Sequence, residues 1–126
     1  LVGPRVEHGR FRRGDVVIET VAREYLEPLR REGLDTLILG CTHYPLLTDI
    51  IGDIMGPGVT LINTGEEAAW ELKRTLRGLD LLAPEGPAGR ATLCASDQPE
   101  QFGVMASYFL GESLTRPVQP VDIDRY

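Results

Sequence analysis

Leu37-Ile-Leu-Gly-Cys-Thr-His-Tyr-Pro45 is the stretch on which the reading of this chain turns. Leu37 to Leu39 are continuously apolar, as expected of a strand buried on both faces of a parallel sheet. Gly40 offers the backbone a sharp turn, and a thiol, a hydroxyl and an imidazole follow at Cys41, Thr42 and His43. Pro45 suits the first position of a helix, where its missing N–H costs nothing. Leu46, Leu47, Ile50, Ile51, Ile54 and Met55 then recur at helical spacing, predicting a helix over 46–55 with one apolar stripe.

Strand, turn, polar triplet and helix place Cys41 at the carboxyl end of a strand, where open α/β sheets bind their ligands. A helix N-terminus just beyond it favours a thiolate over a thiol. Cys41 and His43 together admit three readings: a buried thiol beside a satisfied histidine, a metal site, or an acid–base or nucleophilic pair. Only two cysteines and two histidines exist, none spaced like a zinc finger, so metal is disfavoured. A hydrolytic cysteine enzyme also fits the pair, although no oxyanion hole is identifiable. Thr42 is of the right type to hydrogen-bond an anionic substrate.

Outward from this stretch, Asp15 is a suitable N-cap for a helix ending near Arg31 and stopped by Gly33, with Pro28 as a kink or new turn. A second buried-type strand is expected over 59–62. Thr64 and Glu67 have capping-box spacing at the head of a helix over 65–77, its inward face being Ala69, Leu72 and Leu76. Asn63 and Thr64 are explained by that capping. Pro- and Gly-rich 80–89 reads as surface loop. A third strand over 91–95 makes Cys94 a core residue. Asp97 and Pro99 open a helix over 98–110 with Phe102, Met105, Ala106 and Phe109 inward, and a Pro-interrupted edge strand over 117–123 closes the chain. Strand-then-helix repeats predict an α/β fold, a parallel sheet flanked by helices.

The 126 residues, 42% hydrophobic and 25% charged, allow one modest core. A net charge of −6 argues against sequence-independent nucleic-acid binding. Apolar runs are too short to span a membrane, no signal-peptide pattern opens the chain, and two cysteines do not make a disulfide framework. The expected compartment is a reducing cytoplasm.

Gly-Cys-Thr-His-Tyr-Pro-Leu-Leu after an apolar strand resembles the second-cysteine motif of glutamate racemases. Val6-Glu7-His8-Gly9 resembles the family's Val-Glu-x-Gly segment. Leu61 to Ala69 resembles its next strand-to-helix turn, and Ser96 to Gly111 its C-terminal segment. The resemblance implies a cofactor-independent isomerase that interconverts L- and D-glutamate for peptidoglycan, using neither pyridoxal phosphate nor metal. Cys41, His43 and Glu7 then become the catalytic candidates, Thr42 and His43 the substrate-binding ones. By that resemblance Cys41 would be the thiol that deprotonates L-glutamate, with His43 assisting. Aspartate racemases of the superfamily resemble Cys-Thr-Glu here, so His43 favours glutamate. Family members are about double this length, with a first catalytic cysteine and an Asp-Ser loop in an N-terminal half that this chain lacks. The chain is therefore expected to be a C-terminal portion. Residues 1–63 would be the latter part of the second α/β domain, and 64–126 the returning part that completes the first. Alone it is expected to be inactive. Glutamate is the expected partner, with no nucleic acid and no membrane, and a homodimer is left open. The alternatives are another racemase or isomerase of the superfamily, or a non-catalytic fragment or interaction module.

Overall fold

The computed structural model describes Val6, Gly9 and residues 11–86 and 89–125. These residues fall into two compact units, Leu1–Pro84 and Glu85–Tyr126. Both are α/β in character.

In the first unit, helix α1 spans Val16–Arg31. Asp15 caps it as expected: its carboxylate accepts from the backbone N–H of Val17 and Ile18. Two otherwise unpaired donors are thereby satisfied. The helix runs through Pro28, and Gly33 leaves it at φ +71, a conformation that costs glycine little. Strand β1 (Thr36–Leu39) pairs in parallel with β2 (Thr60–Asn63), Leu37 opposite Leu61 and Leu39 opposite Asn63. Between them lie a 3₁₀ turn at Tyr44–Leu47 and helix α2 (Thr48–Met55).

Ile18 and Ala22 of α1 pack against α2, whose Ile50, Ile51, Ile54 and Met55 are all buried. Leu39 and Leu47 complete this core with Val6. Arg13 holds Asp53 of α2 through two hydrogen bonds of 2.8 Å, tying the approach to α1 onto α2. That contact raises the Arg13 pKa, chiefly through the hydrogen bond to Asp53.

Burial of β1 on both faces is not met: Leu39 is buried, whereas Ile38 is 65% exposed. The reason is topological. The sheet has only two strands among the described residues, so nothing is packed on the outer side of Ile38. Helix α3 (Thr64–Gly78) shows the same effect. Its expected inward face does not form. Leu72 and Trp70 are exposed, Ala69 also faces solvent, and only Leu76 is half-buried. Trp70 instead carries Lys73 over its ring, with the ammonium 5.3 Å from the centroid.

The second unit holds strands β3 (Cys94–Ala95) and β4 (Gln119–Pro120), parallel, with helix α4 (Pro99–Leu110) between them. Both strands are shorter than expected. Pro117 and Pro120 cannot donate to a ladder, and β3 pairs only as far as β4 reaches. Asp97 does not cap α4. Its carboxylate accepts from Gln98 N–H, and Gln98 itself takes the cap position with a left-handed backbone. Met105 and Ala106 are half-buried as expected, but Phe102 and Phe109 are exposed. Gly111 ends α4 at φ +70.

Candidate active site

Leu39, the last residue of β1, is buried, and the chain leaves the sheet there. Gly40 N–H donates back to the Ile38 carbonyl, starting the turn. Gly40 does this without a left-handed backbone, and a Cβ there would meet nothing within 4 Å. The expected use of glycine's freedom is therefore not needed. Tyr44 N–H then donates to the Cys41 carbonyl and Leu46 N–H to that of His43, winding the polar triplet into the 3₁₀ turn.

This turn brings together the thiol and the imidazole that the sequence analysis weighed as a pair. Cys41 Sγ lies 3.9 Å from His43 Nδ1, within reach of a sulfur hydrogen bond. Both residues are half-buried, while Thr42 between them is exposed. The triplet thus presents a thiol and an imidazole together, and a hydroxyl beside them, at the carboxyl end of a parallel strand. Such a pair can pass a proton between sulfur and nitrogen or present it to a third atom.

The helix expected to start at Pro45 is divided. Pro45 lies in the first turn of the 3₁₀ segment, and the α-helix begins only at Thr48, whose hydroxyl donates to the Pro45 carbonyl. The donors of α2 are thus well beyond Cys41 in the chain. The partner that the structure gives the thiol is His43, not a helix N-terminus. Glu7, the third catalytic candidate, and His8 lie outside the described residues.

Thr64 is the residue that sequence reasoning misassigned. No capping box forms: the Asn63 side chain caps α3, accepting from the N–H groups of Gly65 and Glu66. The Thr64 hydroxyl points elsewhere, donating to the Leu39 carbonyl at 3.2 Å across the β1–β2 pair. The only signal for this was the adjacency of parallel strands, which brings the head of α3 beside the end of β1.

Cys94 is exposed rather than a core residue, since among the described residues β3 pairs with one short strand only. No group of three or more His, Cys, Asp or Glu among the described residues is arranged to hold a metal. No helix among them is long and apolar enough to cross a membrane. A cleft of about 490 Å³ does reach Cys41, but its walls are Tyr25, Leu26 and Leu29 of α1, β1 itself, and Tyr44, Leu47 and Ile51. Thr42 and His43 do not line it. It is the uncovered apolar flank of β1, not a polar pocket.

No family model matches the chain. The glutamate racemase of Mycobacterium ulcerans is 48% identical over 103 residues, which is 79% of this chain and 38% of that protein. The Mycobacterium tuberculosis enzyme of the same name is 47% identical over the same shares. Among solved structures, glutamate racemase from Thermus thermophilus, in complex with β-chloro-D-alanine, matches with a TM-score of 0.83 and 39% identity. The match covers 99% of this chain and 46% of that one. Glutamate racemase from Francisella tularensis, in complex with D-glutamate, matches with a TM-score of 0.81 at 28% identity over the whole of this chain and 46% of that one. The chain spans 38% to 46% of the length of these relatives. In sequence and in fold it is similar to one portion of the glutamate racemases.

Proposed function

We propose that the family-length protein to which these residues belong is a glutamate racemase, and that Cys41 is one of its two acid–base thiols. The observation that carries this reading is the approach of Cys41 Sγ to His43 Nδ1 at 3.9 Å, on the polar triplet that follows β1. Stereoinversion at an α-carbon needs a base on one face of a planar carbanion and an acid on the other. Cys41 removes the α-proton of L-glutamate, and His43 takes up or returns charge as the thiol changes state. Thr42, exposed beside them, offers its hydroxyl and N–H to a substrate carboxylate. Glu7, in the Val-Glu-x-Gly segment, is the third member of the proposed catalytic set.

On this reading the opposite-face thiol comes from the part of the racemase length that these 126 residues do not match. This chain alone is accordingly expected to be inert. The apolar cleft is not the substrate site, since glutamate brings two carboxylates and an ammonium that its walls do not pair. The wider reading follows: a cytoplasmic enzyme supplying D-glutamate for peptidoglycan, needing no cofactor. Division of the parent into two α/β domains, with the crossing near Asn63, is part of the same proposal.

The test is turnover of the family-length protein on each enantiomer of glutamate and of aspartate, followed by chiral chromatography. Interconversion of glutamate with little turnover of aspartate is expected. Preference for aspartate would point to another racemase of the superfamily, and turnover of neither would remove the enzyme reading.

A further inference from the structure

We infer that Thr64 is a positioning residue for the Cys41–His43 pair, acting through the peptide unit that joins Leu39 to Gly40. The inference rests on the reading of that pair as the functional group of this chain. Four observations lead to it. The Thr64 hydroxyl is not spent on its own helix, because Asn63 provides the cap of α3. It donates instead to the Leu39 carbonyl at 3.2 Å, twenty-five residues away in sequence. The N–H on the other side of that same peptide unit, that of Gly40, donates to the Ile38 carbonyl at 3.1 Å. Finally, a Cβ at Gly40 would meet nothing within 4 Å, so packing around Gly40 does not restrain the turn.

The peptide unit is therefore held at both of its polar ends, and only the two soft torsions of Gly40 separate it from the Cys41 peptide. Glycine is the residue least able to resist rotation there. Fixing the plane just before it is thus the economical way to fix the direction of the thiol. Asn63 is the register partner of Leu39 and also caps α3, so the anchor carrying Thr64 is itself ordered by β2 and the helix. Without the hydroxyl, the Leu39 carbonyl loses this partner and the turn carrying Cys41 gains freedom. The 3.9 Å approach of sulfur to imidazole is then kept only part of the time.

The experiment is a double-mutant cycle read by thiol alkylation on the full chain. Iodoacetamide labelling of Cys41 and Cys94 is resolved by peptide mass spectrometry, with the exposed Cys94 as internal reference. Thr64→Val is expected to lower the Cys41-to-Cys94 rate ratio about five- to tenfold, the scale of one lost hydrogen bond. Thr64→Ser, which keeps the hydroxyl, is expected to restore it. In a His43→Asn background Thr64→Val is expected to change nothing further, since its effect passes through the pair. Thr64→Ala gives a second hydroxyl-free chain should valine disturb folding, and all rates are taken well below each variant's unfolding temperature. An unchanged or raised ratio in both hydroxyl-free variants would overturn the inference, as would an equal fall in the His43→Asn background. Because alkylation needs no turnover, failure of the racemase reading would show in the activity of the family-length protein and not in this cycle.

Discussion

Cys41 and His43 stand two residues apart, and an imidazole so near in sequence is worth little unless the backbone bends it back. The turn closed by Tyr44 N–H on the Cys41 carbonyl does this, with Sγ 3.9 Å from Nδ1. In the family-length protein, His43→Asn is expected to lower kcat by roughly ten to a thousandfold, toward the range of general acid–base assistance, with a smaller change in KM. Steady-state kinetics on both enantiomers check this, and a change confined to KM would assign His43 to binding alone. The motif was legible as chemistry from residue types: a thiol, a hydroxyl and an imidazole after a strand. Its geometry was not, because the sequence suggested a single helix from Pro45 and so credited the thiol to a helix N-terminus. The 3₁₀ segment and the later start of α2 were invisible to apolar spacing, which is nearly the same in both forms over one turn. Thr64 was misread for a related reason. A threonine three residues before a glutamate fits a capping box, and only the neighbouring strand shows that the hydroxyl has a better partner.

Among the elements, α1 was read well because its signals are local. Asp15 at its head and Gly33 after its end both act within a few residues. Asp15→Ala is expected to destabilise the first unit by about 1 kcal/mol through loss of the two capping hydrogen bonds, as urea denaturation followed by circular dichroism can check. The apolar stripe of α2 is a heavier contributor. Ile50→Ala, at a side chain only 2% exposed, is expected to cost about 2–5 kcal/mol in the same measurement. The Arg13–Asp53 pair differs in kind. The Arg13 pKa is raised, so whatever it contributes is fully present below the ordinary guanidinium value and is lost only at extreme alkaline pH. Melting across the neutral range is not expected to depend on titration of Arg13. Elements whose outer side needs a non-local neighbour were read less well. Ile38, Leu72, Phe109 and Cys94 all fit a buried pattern, yet are exposed, and each sheet has only two strands among the described residues. Periodicity tells which face is apolar; it does not tell what covers that face.

For the molecule as a whole, that uncovered apolar surface has a measurable consequence. Ile38, Tyr25 and Leu29 flank one open apolar cleft in the first unit. A surface of this kind promotes association when nothing covers it. The 126-residue chain is expected to bind a fluorescent apolar probe and to sediment with increasing apparent mass at higher concentration. Ile38→Thr is expected to weaken both while leaving the buried core of α1 and α2 intact. Concentration-independent sedimentation without probe binding would contradict this. The fold class and the family resemblance were legible from the chain alone, whereas which apolar faces stay exposed was not, because that depends on non-local neighbours. The central claim is that Cys41 moves the α-proton of glutamate, and α-proton exchange of L-glutamate in D2O, followed by NMR, tests it most directly. The family-length protein is expected to exchange the α-proton and accumulate D-glutamate, with both lost in Cys41→Ser. Undiminished exchange in Cys41→Ser, or none in the unaltered protein, would contradict the account.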